Sequence, residues 1–441
     1  MLNPDLPSSQ ILERFRRGRG ADIDLTLRKT YFDLLAKLGD PHKKLPPVVH
    51  VAGTNGKGST CAFLRAMAET AGKRAHVYTS PHLVSFHERI RIAGKIIEED
   101  ELAEILGDIE RLSDPGGITY FEAATAAAFV AFTRHAADVT LLEAGLGGRL
   151  DATNVVPNPV ATVIARLSFD HREYLGHTMA EIAGEKAGIL RSETPCFAAP
   201  QPSLEALTAL QRAASEKRAP LFIGGRDWRV DPIGTHAFLF ESPKRSLTLP
   251  APALTGQHQL WNAGLAIATA SALPFAVDDQ EIAAAMAHVE WPARLERLRQ
   301  GALCALLPPG WELWLDGGHN DSAGEVLAQQ IALWRHEEGR HPRPLRIVLG
   351  MLNTKVPREF LAPMIPFIDA LQTVAIPGEP LSRAANELAA LARETGIANA
   401  APAASLHEAI AALAADGKTG GRLLVCGSLY LAGEVLKLNA Q

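Results

Sequence analysis

The sequence predicts an α/β protein in two parts: a P-loop domain on a parallel sheet with a small antiparallel β patch, then a Rossmann-like α/β C-terminal domain. Three observations predict it. Residues 48 to 60, Val-Val-His-Val-Ala-Gly-Thr-Asn-Gly-Lys-Gly-Ser-Thr, run an apolar strand into a glycine-rich turn carrying one lysine and then into a helix. Apolar strand-like runs alternate with helical periodicity along the chain, as in a parallel sheet covered on both faces. At Trp291-Pro292 the helical pattern stops, because proline disfavours helix in the residue before it, and a fresh α/β series begins. The boundary is placed just beyond, giving domains 1–295 and 296–441.

Each element has a local reason. Val48, Val49 and Val51 are β-branched and lead to Ala52, while Gly53, Gly56 and Gly58 let backbone N–H groups converge where a Cβ would obstruct them. A helix opening near Ser59 points its positive dipole end at the same place. Phe63, Leu64, Met67 and Ala71 follow at helical spacing, and Gly72 stands where a C-terminal cap belongs. Strands are expected over 75–78, 138–142, 160–166 and 195–198, with helices over 100–111, 122–135 and 179–190. From 221 to 249 the pattern changes to short alternating segments, such as Ala237-Phe-Leu-Phe and Ser246-Leu-Thr-Leu, which predict the antiparallel patch. Helices over 259–273 and 279–289 close the first domain. The second is expected to hold strands 312–315, 345–349, 371–376 and 422–426 and helices 322–334, 382–395, 405–415 and one from Ser428, without a G-x-G-x-x-G loop.

Composition narrows the function. The 441 residues are 47% hydrophobic and 21% charged, with a net charge of −5, enough for a large core. Acidic and basic residues are interspersed, so no basic stripe points to nucleic acid, while small anionic substrates remain open. No basic n-region with an apolar core opens the chain and no apolar run approaches the ~20 residues of a membrane span, so the expected location is cytoplasmic. Cys61, Cys196, Cys304 and Cys426 are scattered in apolar contexts without a C-x-x-C pair and read as reduced thiols.

The chemistry concentrates at strand ends. Lys57 can neutralise the β/γ-phosphates of a nucleotide, and the Ser59 hydroxyl can ligate its Mg²⁺. The loop Gly53-Thr54-Asn55-Gly56 is shorter than the common G-x-x-x-x-G-K-[ST], and Gly58 separates Lys57 from Ser59. A bland glycine-rich turn explains three glycines but not a lysine and two hydroxyls at a helix mouth. Glu143 ends an apolar strand, where folds of this kind place ligands, and is either the metal partner of the loop or a solvated acid. Ser80 follows the second strand and could offer a hydroxyl to the same ion, and Asp170-His171 stands at another carboxyl edge, where a lone histidine is more often structural. Lys186 lies in a helical pattern, where most lysines are simply solvated; desolvated near metal, its neutral amine could take up CO₂ as a carbamate. Asp316-Gly-Gly-His-Asn320 ends a strand and reads either as an ordinary polar turn or as a second-domain site.

Six segments in order, Gly53-Thr-Asn-Gly-Lys-Gly-Ser59, Ser80-Pro-His-Leu-Val-Ser-Phe-His-Glu-Arg-Ile90, Thr119-Tyr-Phe-Glu122, Glu143 to Asn154, Glu185-Lys-Ala-Gly-Ile189 and Asp316 to Asn320, carry a resemblance. Over nearly its whole length the chain resembles the folylpolyglutamate synthases, and among them the bacterial members that also act as dihydrofolate synthases. The resemblance implies ATP at Gly53, Thr54, Asn55, Gly56, Lys57, Gly58 and Ser59, with Ser59, Ser80, Glu143 and His171 serving magnesium. It makes Lys186 a carbamylated lysine supporting a second metal ion, and Lys57, His171 and Lys186 the catalytic set. Asn262, Arg294 and Asp316 match nucleotide-contacting positions, which would put ATP between the domains. Ile23, Asp24, Leu25, Thr119, Phe121, Asp151 and Asn154 look like the pterin side, and His319 and Ser428 the glutamate side. One departure stands out: family members often have an Asp-Lys-Asp run where this chain reads Asn353-Thr354-Lys355-Val356.

The implied reaction is an ATP-dependent ligation. A pteroate or folate carboxylate attacks the γ-phosphorus, and the amine of L-glutamate displaces phosphate from the resulting acyl phosphate. Closure of the domains would exclude water. Expected partners are thus small molecules only (dihydropteroate, reduced folates, L-glutamate and ATP), acting on a monomer, without nucleic acid or membrane. A Mur-type cell-wall amino-acid ligase shares the loop, but those enzymes carry a nucleotide-sugar domain before it, and only 52 residues precede Gly53. A P-loop ATPase switch module would leave the Lys186 and Asp316 segments unexplained.

Overall fold

The computed structural model of the chain describes residues 5–19, 26–415 and 420–440. The chain divides into two units, Leu2–Ala253 with Gln259–Glu290, and Trp291–Gln441 with Leu254–His258. The N-terminal unit is built on strands β1 (Val48–Ala52), β2 (Ala75–Tyr78), β3 (Ile90–Ile92), β4 (Lys95–Ile96), β5 (Val139–Glu143), β6 (Ala161–Ile164), β7 (Cys196–Ala198) and β8 (Leu221–Ile223). They form one sheet in the order β4-β3-β2-β5-β1-β6-β7-β8, parallel from β2 to β8. β1, β5 and β6 are buried along their whole length, as their apolar runs require between two helical layers. β1 pairs Val51 with Glu143 of β5 and Ala52 with Ile164 of β6, so three strands deliver their carboxyl ends to one edge.

Three details differ from the sequence reading. Leu221–Ile223 is not part of the antiparallel patch; it follows the helix Leu204–Lys217 directly and completes a parallel crossover onto β7. The patch is β9 (Arg229–Ile233), β10 (Ala237–Ser242) and β11 (Arg245–Pro250). The far edge of the main sheet turns antiparallel through β3 and β4. Two N-terminal helices, Pro7–Arg19 and Lys29–Lys37, went unread, because the first is tied down by distant partners: Ser8 Oγ donates to Glu99 at 2.6 Å and Arg14 Nε to Glu110 at 2.6 Å.

The C-terminal unit holds β12 (Glu296–Leu298), β13 (Trp311–Leu315), β14 (Leu345–Leu349), β15 (Ala370–Thr373), β16 (Ala400–Pro402) and β17 (Gly421–Cys426), in the order β12-β13-β17-β14-β15-β16. All neighbours are parallel except β12 against β13, the Rossmann-like pattern. Its core is closed by Trp314, Leu327, Ile331 and Trp334 on one side and by Met351, Phe360 and Met364 nearby.

Candidate active site

The phosphate loop is shaped by contacts that only glycine permits. A Cβ on Gly53 would lie 2.7 Å from the Ala165 Cβ, and Gly56, at φ +90°, would meet the Asn262 Oδ1 at 2.5 Å. Gly56 caps the helix Lys57–Thr70, so the first free N–H groups start at Lys57, two residues earlier than expected. Thr54 and Asn55 both donate their N–H to the Arg166 carbonyl, at 3.0 and 3.1 Å, and the Thr54 hydroxyl donates to the Ser168 carbonyl at 3.1 Å. The loop is therefore stapled to the end of β6 before any ligand arrives.

Lys57 Nζ lies 3.9 Å from Glu143 Oε1 and donates to the Thr54 carbonyl at 3.2 Å. Glu143 is 4% exposed, and its other oxygen accepts the Ser80 N–H at 3.2 Å. Ser59 is buried, and Gln259 Nε2 reaches its hydroxyl at 3.4 Å while Gln259 Oε1 accepts from Asn262 Nδ2 at 2.9 Å. Gln259 was not anticipated. Its signal was the i, i+3 spacing that puts it on the Asn262 face of one helix.

Lys186 is buried in the last turn of the helix Met179–Ala187 and donates to the Gly53 carbonyl at 2.9 Å. Burial above all, with help from the nearby Lys57 charge, pulls its amine down to about 7, while Asp170 and Asp151 pull the other way. The helix stops at Ala187, short of the expected 190, and Gly188 packs so closely that a Cβ there would sit 2.3 Å from the Arg149 Cα. His171 stands at φ +49° at the head of a short helix, its Nε2 3.9 Å from Asp170 Oδ1.

On the acceptor side, Thr119 caps the helix Tyr120–Arg134: its hydroxyl accepts the Glu122 N–H at 3.1 Å and its own N–H donates to Glu122 Oε2 at 2.6 Å. The Phe121 ring lies against Gly145, where a Cβ would come within 2.3 Å of its Cζ, so this aromatic surface sits just past Glu143. Asp151 is buried and already accepts from Leu146 N–H, Thr153 N–H and Thr153 Oγ1, at 2.9, 2.9 and 2.5 Å. Asn154 donates to the Arg149 carbonyl at 3.0 Å and accepts from Arg191 at 2.7 Å. Both thus hold the turn that follows Glu143. Behind them His50 Nε2 lies 2.8 Å from Thr153 Oγ1, and burial pushes that imidazole down to about 3, so it stays neutral. Ile23, Asp24 and Leu25 lie outside the described residues.

In the C-terminal unit Asp316, at the end of β13, accepts the Leu295 N–H at 2.8 Å and the Gly318 N–H at 2.6 Å. Burial raises its carboxyl, offset by Arg294 and the two N–H donors. Arg294 is held between Ala293 at φ +58° and Leu295 at φ +48°, two strained positions that aim its side chain beside Gly317. His319 Nδ1 lies 3.0 Å from the Gly317 carbonyl, and Ser428 caps the last helix through the Tyr430 N–H at 3.1 Å.

A phosphate loop whose lysine faces a buried strand-end carboxylate, on a parallel sheet followed by a Rossmann-like unit, defines the class: an ATP-dependent ligase with the Mur-type two-domain fold. The Mur ligase middle domain matches residues 51–270, and the dihydrofolate synthetase C-terminal domain matches residues 308–438. The chain belongs to the dihydrofolate synthase/folylpolyglutamate synthase family. It is 38% identical over 316 residues to the Bacillus subtilis dihydrofolate synthase/folylpolyglutamate synthase, covering 68% of this chain and 70% of that one. Escherichia coli FolC in complex with DHPP and ADP superposes with a TM-score of 0.85 at 31% identity, covering 98% and 97%. The Yersinia pestis bifunctional enzyme complexed with AMPPNP and Mn superposes at 0.84 and 28%, covering 98% of each chain. No helix among the described residues is long and apolar enough to cross a membrane.

Proposed function

We propose that this chain joins L-glutamate to the carboxylate of dihydropteroate and of reduced folates, through an acyl phosphate made from ATP. The observation that carries the reading is the Lys57–Glu143 pair at 3.9 Å over a loop stapled to β6, on a scaffold shared with nucleotide-bound FolC. The donor set suits a hard cation: a buried carboxylate, Glu143, with the Ser59 and Ser80 hydroxyls, all oxygen. Those residues would hold magnesium, with His171 and a carbamate on Lys186 serving a second ion. Bound there, the metal supplies Lewis acidity to the transferring phosphoryl group.

The chain's own residues set up the rest. The N–H groups from Lys57 onward face the phosphates, and Lys57 offsets charge on the phosphoryl group as the acceptor carboxylate attacks. Lys186, half neutral near pH 7, has the free amine that CO₂ uptake requires. Phe121 offers its ring face to the pterin, and Thr119, Asp151 and Asn154 hold that pocket's walls. We assign nucleotide contact to Asn262, which lies against Gly56 of the loop, and to Arg294 and Asp316 on the strained segment and polar turn, and glutamate contact to His319 on that turn and to Ser428 at the head of the last helix. Four free thiols fit a reducing, cytoplasmic setting, and we read the working unit as a monomer.

The test is ATP-dependent incorporation of radiolabelled glutamate with dihydropteroate, tetrahydrofolate or a cell-wall precursor as acceptor. Incorporation with both pteridine acceptors is expected. Activity with tetrahydrofolate alone would strike out the dihydrofolate synthase half, and activity with the cell-wall precursor alone would overturn the reading.

A further inference from the structure

The short turn Ala152–Val155, which lies beyond the Glu143 strand, is held by side chains from three other parts of the chain. Tyr31 donates its hydroxyl to the Ala152 carbonyl at 3.3 Å, Arg191 donates to the Asn154 side chain at 2.7 Å, and between them His50 Nε2 lies 2.8 Å from the Thr153 hydroxyl. That last contact joins β1 to the turn across 103 positions of sequence. His50, Thr153 and Asp151 are 1, 0 and 3% exposed, so their polar atoms have to be answered by the chain itself.

With Asp151 ionised, the hydrogens in this series of contacts run one way. Thr153 Oγ1 has a single proton and donates it to Asp151 Oδ1 at 2.5 Å, so toward His50 its oxygen can only accept. Burial, and after it the Arg191 charge, push the His50 imidazole down to about 3, which leaves a neutral ring with its one proton on Nε2. Asp151 also accepts the Leu146 and Thr153 N–H groups, each at 2.9 Å, and the Gly145 N–H. Burial raises this carboxyl, and the Thr153 hydroxyl is the largest of the donors that pull it back. Gly145 is the residue against which the Phe121 ring packs. A continuous line of hydrogen bonds thus leads from the middle of β1 to the floor under that ring.

We infer that His50 is a positioning residue for the pteridine acceptor: its Nε2–H holds the Thr153 hydroxyl on Asp151, and Asp151 fixes the backbone on which the Phe121 ring rests. The inference rests on the function proposed above and deepens it. A histidine that only filled space would be replaced by leucine at no cost specific to the acceptor, whereas a donor is missed there. His50→Leu, without a donor, and His50→Gln, which keeps an N–H, are compared in the full chain by steady-state kinetics, with NMR of the imidazole nitrogens in wild type. His50→Leu is expected to raise KM for both pteridine acceptors about tenfold or more while KM for ATP and for L-glutamate stays within about twofold, and His50→Gln to recover most of that loss. The His50 ring, identified as the signal absent from both variants, is expected as the neutral Nε2–H tautomer at neutral pH. If His50→Leu does not fold, Thr153→Val and Thr153→Ser make the same comparison one link further on, the serine keeping the hydroxyl. Equal losses in the leucine and glutamine variants, an equal rise in KM for ATP, or an Nδ1–H tautomer would each overturn the proposal. A wild-type protein that glutamylates neither acceptor removes the function itself, and the tautomer still decides whether the line of hydrogen bonds runs as described.

Discussion

Lys57 and Lys186 approach the same glycine loop, yet their surroundings treat them differently. Lys57 has Glu143 at 3.9 Å across the loop, so Lys57→Ala is expected to cut turnover by about 10²–10³-fold or more in a protein with an unchanged melting curve. Among the described residues the Lys186 amine bonds only the Gly53 carbonyl, and burial brings it to about 7 against an ordinary 10.5. The unfolded chain therefore holds this proton up to about pH 10.5 while the folded chain sheds it near 7. Stability withheld at low pH is regained as pH rises from about 7 to 10.5, because the unfolded state binds more protons across that window. Lys186→Met is expected to abolish turnover, flatten that slope and raise the urea midpoint at neutral pH; a midpoint that falls would contradict the burial cost. The place of Lys57 at a helix mouth beyond a glycine turn was legible in the sequence because its glycines and hydroxyls are adjacent. The burial of Lys186 was not, since a lysine in a helical pattern defaults to solvent and its partner lies 133 positions away.

At the level of elements, two glycines set how closely the segments after β5 pack. Gly188 ends its helix against the Arg149 backbone, so Gly188→Ala forces the two apart and is expected to destabilise by about 1–3 kcal/mol while shifting Lys186. Gly145 leaves room for the Phe121 ring, so Gly145→Ala is expected to raise KM for both pteridine acceptors more than KM for ATP, as is Phe121→Ala. A larger effect on ATP would move Phe121 out of the acceptor pocket. Thr119→Ala removes a cap and is expected to cost about 1 kcal/mol in thermal melts. Strand positions were legible here because β-branched runs end in glycine or acid. The edge pair β3 and β4 was not, being three and two residues long, and the helix Pro7–Arg19 depends on Glu99 and Glu110 rather than on its own pattern.

For the molecule as a whole, each of its two units has its own core, and the C-terminal one adds an ion network. Glu312 accepts from Trp314 Nε1, Arg343 and Arg422 at 3.0, 3.0 and 3.1 Å, and Arg422 also reaches Glu338 at 2.8 Å. These donors hold both glutamates below the ordinary carboxylate range despite burial. Their contribution is present above the unfolded value near 4.5 and is lost as pH falls through the lowered folded values. Glu312→Gln leaves Arg422 to Glu338 alone and is expected to cost about 1–3 kcal/mol, read as a lower melting temperature at neutral pH that converges on wild type in acid. A domain with a Rossmann pattern was legible from strand spacing; this network, joining residues up to 110 positions apart, was not. The thiols have a bearing on the same question. Cys61 and Cys196 are buried in the N-terminal unit and Cys426 in the C-terminal one, with burial raising all three so that little thiolate exists to react. A short pulse of alkylating reagent during heating at neutral pH should therefore mark Cys61 and Cys196 or Cys426 only as their own unit opens, with the half-buried Cys304 labelled throughout. The peptide masses would give the order of unfolding, with no dye and no engineered label.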